Sequence, residues 1–211
     1  MQSNVVTSIE VDIDWAVETV LPIEFHGEEV SLEARAYQGA NPQEQAIVLI
    51  NRGEGVDAKA TPTVRVHSGC VTGDIFHSLR CDCYQQLQAG LKRVIESPNG
   101  ILIYLPYHEG RGIGLVNKIK AYALQDKGHD TVDANVELGE PIDARDYRLA
   151  AAILFDLGFP EIKLISNNPA KVESLSAEGI TVTEQVSVVI EPGQHNKKYL
   201  ETKRKRMAHK I

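Results

Sequence analysis

ILIYLPYHEGRGIGLVNKIKAYALQDKG, residues 101–128, holds the pattern on which the fold turns. The uninterrupted run ILIYL (101–105) reads as a strand buried on both faces, because a half-exposed strand would alternate. PYHEGRGIG then forms a glycine-rich loop. From about residue 113 to 127, the spacing of Leu115, Ile119, Tyr122 and Ala123 predicts a helix that turns them inward, with Gly128 as its stop. A buried strand feeding a helix is the repeating unit of a sheet with helical cover.

The same alternation extends in both directions. Upstream, Leu87, Leu91, Val94 and Ile95 fall on one helical face after Tyr84, and SPNG (97–100) ends the run. Downstream, a helix is expected from Asp143, as its cap, to Gly158, with Leu149, Ile153, Leu154 and Leu157 buried. EIKLIS (161–166) reads as a strand, Asn168 and Pro169 as the start of a helix ending at Gly179, and ITVTEQVSVVI (180–190) as a last strand. Residues 18–68 read differently, as short alternating segments around VLPIEF, VSLEARAY, AIVLIN and TVRVHS, which predict antiparallel strands. The expected class is α/β of the α+β kind: a mixed β-sheet with antiparallel N-terminal strands and helices covering it, in a single compact domain. Residues 1–60 would be a variable strand-rich segment continuous with the main part, 61–211.

A chain of 211 residues with 43% hydrophobic composition can bury such a core. Its net charge of -7 argues against broad binding to nucleic acid or to a membrane surface, so any anion site must be local. The start shows no basic stretch followed by an apolar run, and no window approaches the roughly 18 apolar residues that span a bilayer. A cytoplasmic protein is expected. The basic run KRKR (203–206) reads as a solvated helix face or tail.

Cys70, Cys81 and Cys83 are the only cysteines, an odd count that fits reduced thiols better than a disulfide framework. Two thiolates one residue apart can grip one ion while the third arrives across a turn, and zinc suits that soft donor set. Three buried thiols acting as small hydrophobes is the other reading, although Arg80 and Asp82 beside them make a purely apolar site a poor fit. Three protein ligands leave one position for water, whose pKa zinc lowers to about 7. His67 or His77 would close the site by becoming a fourth ligand, and the open arrangement is expected.

EGRGIG (109–114) puts three glycines and Arg111 at a helix entrance, where free amides favour an anion. It matches neither phosphate-loop fingerprint, so an ordinary strand-to-helix turn explains it equally well. SNNPAK (166–171) offers a second helix start with Lys171 in the first turn, which a bound anion would favour unless the side chain points to solvent. Arg65 and His67 alternate onto one strand face just before the first cysteine. DARD (143–146) reads first as a cap with exposed neighbours.

Together, in this order, RVHSGCVTGDIFHSLRCDC (65–83), EGRGIGLVNKIKAYALQDKGHDTVDAN (109–135), DARD, SNNPAKV (166–172) and YLETKRKRMAH (199–209) closely resemble GTP cyclohydrolase II. The resemblance covers roughly residues 60–209. It implies a homodimeric enzyme of riboflavin synthesis that uses zinc, one per chain, and usually magnesium, to open the imidazole ring of GTP. Formate and pyrophosphate leave, and a diamino-ribosylamino-pyrimidinone phosphate remains. By position, it makes Cys70, Cys81 and Cys83 the zinc ligands. It gives nucleotide contacts to Arg65, Val66, His67, Ser68, Gly69, Gln86, Glu109, Gly110, Arg111, Thr131, Ser166 and Lys171. Asp143 and Arg145 fall on the family's active-site pair, and Tyr122 on a tyrosine near the base. Glu109 can read a guanine edge by accepting from its N–H groups. Arg145 would be a nucleophile in the family reading, but a guanidinium is protonated at any ordinary pH, so charge stabilisation is the sounder role.

Three departures stand out. Gly69 occupies a place where family members carry glutamate, so restoring a carboxylate there is expected to favour formate release. Ser166 replaces threonine. YLPYHEGR (104–111) is one residue longer before Glu109 and carries Pro106 and His108 in place of a basic-polar pair. A relative that stops at the formylated intermediate or takes another purine nucleotide is an alternative on these grounds. A non-catalytic zinc module that binds nucleotide is another, but it would not need Asp143, Arg145 and Tyr122 together.

Overall fold

The computed structural model describes residues 13–53, 55–57, 59–188, 190, 196 and 201. Seven strands form one mixed sheet in the order β1-β2-β3-β5-β4-β6-β7. They are β1 (Asp14–Phe25), β2 (Glu28–Gln38), β3 (Gln45–Arg52), β4 (Thr63–Ser68), β5 (Asn99–Leu105), β6 (Glu161–Ile165) and β7 (Thr181–Val186). The helices are α1 (Val71–Asp74), α2 (Cys83–Glu96), α3 (Gly114–Gln125), α4 (Thr131–Glu137), α5 (Arg148–Asp156) and α6 (Pro169–Ala177), with a 3-10 turn at Pro106–Arg111. KRKR and most of the stretch after residue 190 lie outside the described residues. Among the described residues, no helix is long and apolar enough to cross a membrane.

β1, β2 and β3 run antiparallel, and β3 also pairs antiparallel with β5. The expectation of an antiparallel first half fails at β4, which lies parallel between β5 and β6. Alternation reports which faces of a strand are buried, not the direction of its neighbours. Val64, Arg65, Val66 and His67 are all buried, as befits a central strand covered on both sides.

Neighbouring residues of one strand enter two different cores, as the two-residue period of a strand requires. Val48, Ile50, Ile101 and Ile103 pack with Leu149, Ile153 and Leu154 of α5 and with Leu175 of α6. Leu49 and Leu102 point the other way and pack with Val94 of α2. Helices therefore cover both sides of the sheet. Asn168 caps α6 as expected, its side-chain oxygen accepting from the Ala170 amide at 3.1 Å.

Two helix expectations are corrected. α5 begins at Arg148, not after Asp143, and Asp143 caps no helix. Its carboxylate is held by Arg145, and the Ala144 amide donates to the Arg111 carbonyl at 3.0 Å, which ties this loop to the glycine-rich one. On α3 the buried residues are Lys118 and Ala121, whereas Leu115, Ile119 and Ala123 are exposed. Apolar spacing marked the wrong face because the inner side of α3 borders a polar cavity rather than the core.

Candidate functional site

Three parallel strands, β5, β4 and β6, end side by side, and the chain leaves each into a loop. β4 is followed by β5 on one side of it and later by β6 on the other, so a crevice opens at their carboxyl ends, where open α/β sheets place ligands. The loops at residues 69–70, 106–111 and 166–168 border this cavity, and residues of α3 and α4 add to its lining. Its lining holds Arg65, Arg111, Lys118, Arg145 and Lys171, against Asp82 as the one carboxylate. In a chain of net charge -7, this local gathering of cations is where an anion would find complementary charge.

Cys70, Cys81 and Cys83 all contribute to the lining, and their sulfur atoms all lie within 4.8 Å of one another. Gly73 makes the space. A Cβ there would fall 2.8 Å from Cys83 Cβ, 2.9 Å from Cys81 Sγ and 3.1 Å from Cys70 Sγ. Contact with Cys81, then Cys83 and Lys118, holds the Cys70 thiol well below its ordinary range, whereas the same contact with Cys70 pushes Cys81 up to about 11. Three converging soft donors in a cradle kept clear by a glycine fit a zinc ion. His67 and His77 do not join them. His67 turns Nε2 to Asp74 at 3.3 Å, and His77 stacks on Tyr84 with ring centroids 3.9 Å apart.

Behind the sulfurs, Lys118 Nζ donates to Cys70 Sγ at 3.0 Å and to Glu109 Oε1 at 2.7 Å. Burial alone would lower this ammonium, but Cys70 and Glu109 outweigh it and hold it above its ordinary value. Glu109 also accepts from the Val71 and Gly110 amides, at 2.7 and 3.0 Å. Its oxygens thus anchor the loop and Lys118, and the residue does not line the cavity. Tyr122 does, its ring lying beneath Arg80 and facing Lys118.

Cations form another part of the lining. Lys171 is buried rather than solvated, donating to the Val66 carbonyl at 2.7 Å; Val66 contributes that carbonyl while its side chain sits in the core. Arg65 donates to the Ile165 carbonyl at 3.0 Å and to Gln86 at 3.4 Å. Arg111 lines the cavity from a left-handed conformation, φ 67°, between Gly110 and Gly112, both also at positive φ. Such a conformation costs a non-glycine residue about 1–2 kcal/mol, and it is held here by the loop around it. Thr131 at the start of α4 and Ser166 after β6 complete the wall.

Arg145 lines the cavity and grips Asp143 behind it with a two-pronged contact, Nε to Oδ1 at 2.8 Å and Nη2 to Oδ2. Burial would raise the Asp143 carboxyl, but the guanidinium beside it prevails and holds it below the usual carboxylate range. Arg145 also reaches Ser68 Oγ at 3.5 Å, and the buried His108 meets the same oxygen through Nδ1 at 3.1 Å.

The structure thus brings to one cavity Arg65, His67, Ser68, Gly69, Gln86, Gly110, Arg111, Tyr122, Thr131, Arg145, Ser166, Lys171 and the three cysteines. Val66, Glu109 and Asp143 stand one contact behind it. Sequence reasoning missed Lys118 and Asp74. Lys118 read as one of many helix lysines, and only the apolar face of α3 being outward would have exposed it. Asp74, whose Oδ2 accepts from the Cys70 amide and the Tyr104 hydroxyl, each at 2.9 Å, lies between the cysteines and carried no spacing signal. Gly69 corrects a further expectation. A Cβ there would meet Pro106 Cα at 2.9 Å and the Leu105 carbonyl oxygen at 3.1 Å, so this backbone has no room for a glutamate.

The sequence profile of the GTP cyclohydrolase II family matches residues 15–187. A riboflavin biosynthesis protein RibBA of Salinispora tropica is 45% identical over 202 residues, covering 95% of this chain and 48% of the relative. RibBA of Nocardia farcinica is 51% identical over 166 residues, or 79% of this chain and 39% of the relative. A GTP cyclohydrolase-2 of Archaeoglobus fulgidus is 43% identical over 199 residues, or 94% of this chain and 50% of the relative. The chain spans about half the length, or less, of these relatives.

Proposed function

The chain belongs to the GTP cyclohydrolase II family, and from that premise we propose that it hydrolyses GTP, opening the imidazole ring with release of formate and pyrophosphate. The product would be the diamino-ribosylamino-pyrimidinone phosphate of riboflavin synthesis. One observation carries this reading: a thiol cluster able to hold a metal and a set of cations line the same cavity, which suits a substrate that carries phosphates and is hydrolysed at a metal.

Cys70, Cys81 and Cys83 would hold zinc, which supplies an activated water for hydrolysis when bound. Lys118, donating to Cys70 Sγ, would favour the thiolate form that a metal needs, and Glu109 accepts from Lys118 in turn. Arg145, aligned by Asp143, and Lys171 stabilise the charge that grows on the phosphates as pyrophosphate leaves, a task for fixed cations in a sheltered site. Arg111 and Thr131 would position the triphosphate, Gln86 and Tyr122 the base. A magnesium ion would ride with the triphosphate, as it does for most nucleotide substrates.

We further propose a cytoplasmic homodimer. Leu115, Val116 and Ile119 form an exposed apolar row on α3, 46%, 69% and 49% accessible, and such a row supports burial against a second copy. The residues before about 60 would complete the sheet rather than form a separate unit, since β1 to β3 share it with the strands that bear the site. Incubation of the purified protein with GTP, zinc and magnesium, followed by identification of products by mass, tests the reading. Ring-opened pyrimidine with both leaving products supports it; unchanged GTP refutes it, and a formylated product would favour the relative that stops one step early.

A further inference from the structure

Asn135, 4% exposed, is a neutral polar residue in the lining of a cavity rich in cations. It sits on α4, whose start is set by Asp130: that carboxylate accepts from the Val132 and Asp133 amides at 2.8 and 2.9 Å. The residues this helix buries are Val132, Ala134 and Asn135. α3 and α4 are joined at one end by residues 126–130 and at the other by Asn117 Nδ2, which donates to Glu140 Oε1 at 2.6 Å. The two helices therefore lie side by side in opposite directions. Asn135, midway along α4, stands level with the middle of α3, where Ala121 and Tyr122 line the same cavity.

The side-chain amide of Asn135 is held one way round. Its Nδ2 lies 3.3 Å from the Pro141 carbonyl oxygen, and a carbonyl can only accept, so the NH2 group faces Pro141. Oδ1 is then the atom left for the cavity, and among the described residues no group donates to it. An oxygen on a buried residue, left without a donor, favours a ligand that brings one. The neighbouring wall decides which part of a ligand that is. Ile113, Ala121 and Tyr122 offer apolar and aromatic surface, and Lys118 is spent on Cys70 and Glu109. Such a wall suits a flat heterocycle better than a phosphate, which would seek Arg65, Arg111, Arg145 or Lys171.

We propose that Asn135 selects guanine, its Oδ1 accepting from the N1–H and the 2-amino group at the edge of the base. This rests on the GTP hydrolysis proposed above. Glu109, the carboxylate expected to read that edge, is committed to Lys118 and two backbone amides and does not line the cavity. Asp82, the one carboxylate in the lining, already accepts from Gln86. Adenine presents a bare ring nitrogen and a C–H at the two positions where guanine donates. It gives Oδ1 nothing, and the lone pairs of the two atoms repel. The edge that Asn135 reads lies across the base from the imidazole ring that opens, so the contact is the same before and during the reaction. Asn135 therefore acts on selection more than on rate.

Steady-state hydrolysis of GTP by zinc- and magnesium-loaded protein, with ATP added as a competitor, tests this. Asn135→Ala is expected to raise KM for GTP about tenfold or more and to change kcat by less than about threefold, because one uniform contact is lost. The inhibition constant of ATP should shift by less than about threefold, so the preference for guanine falls by the factor lost for GTP. Asn135→Leu, which keeps the volume and lacks the oxygen, should behave likewise, and retained kcat shows that each variant has folded. Parallel weakening of GTP and ATP, a collapse of kcat in both variants, or a KM within about threefold of wild type in both would overturn the proposal and leave Asn135 as a prop for Pro141. Release of neither formate nor pyrophosphate by wild type would overturn the GTP reading beneath it instead.

Discussion

Pro106 Cα stands 2.9 Å from the point where a side chain on Gly69 would begin, with the Leu105 carbonyl oxygen only 3.1 Å from it. The path of the loop after β5 therefore requires the absence of a side chain at position 69. Gly69→Glu should disturb the junction of β4 and this loop and lower stability by about 1–3 kcal/mol, the usual cost of overpacking. It should not increase formate release. Chemical denaturation together with formate assay checks this, and a stable variant with enhanced formate release would show that the loop can yield.

Gly73 holds the space between the three sulfurs. Gly73→Ala is expected to weaken zinc binding at least about tenfold, because small shifts of supporting groups cost metal sites that much. The rest of the fold should survive, since Gly73 lies in a four-residue helix outside both apolar cores. Competition with a chromogenic chelator measures the affinity; unchanged affinity would mean that the sulfurs do not meet around a metal.

Lys118 and Glu109 are buried partners, 8% and 13% exposed at their side chains. Lys118→Met should cost about 3 kcal/mol by leaving Glu109 with its charge uncompensated. Adding Glu109→Gln should restore part of that loss, because the stranded charge is removed. Urea denaturation of the two single variants and the double variant gives the interaction; strictly additive losses would contradict it.

How much of this was legible beforehand depended on what each residue faces. The strand run ILIYL was readable because both faces meet apolar cores, and Asn168 with Pro169 announced α6 by local chemistry alone. The cysteine cluster was readable because its spacing lets three thiols converge, as their sulfur atoms do within 4.8 Å of one another. The inner face of α3 was not, because Lys118 and Ala121 serve a polar cavity and leave the apolar Leu115 and Ile119 outside. Asp143 was misread as a cap because its bond to Arg145 and the tie from Ala144 to Arg111 are set by folding of two loops far apart in sequence. Parallel placement of β4 depends on a crossover through α2, which alternation within β4 cannot report.

His108 titrates at about 3, lowered first by burial and then by Arg145, against about 6.5 in an unfolded chain. Between those values the unfolded chain takes up a proton that the folded protein refuses. The stability is thus fully present above about pH 6.5 and falls as pH drops toward 3, by up to about 1.4 kcal/mol per unit. From about pH 7 to about pH 5, wild type should lose roughly 2 kcal/mol more than His108→Gln. Equal losses on urea unfolding at the two pH values would mean that His108 is protonated in the folded protein.

The cysteines and the cations Arg145 and Lys171 come from different stretches of chain and line one cavity, so ring opening and pyrophosphate release should be separable. Formate and pyrophosphate are measured side by side from GTP and magnesium, in zinc-loaded and in zinc-depleted protein. Zinc removal is expected to reduce formate to background while nucleotide binding and part of the pyrophosphate release persist. Loss of both products in equal proportion would contradict separate roles for the thiol cluster and the cations.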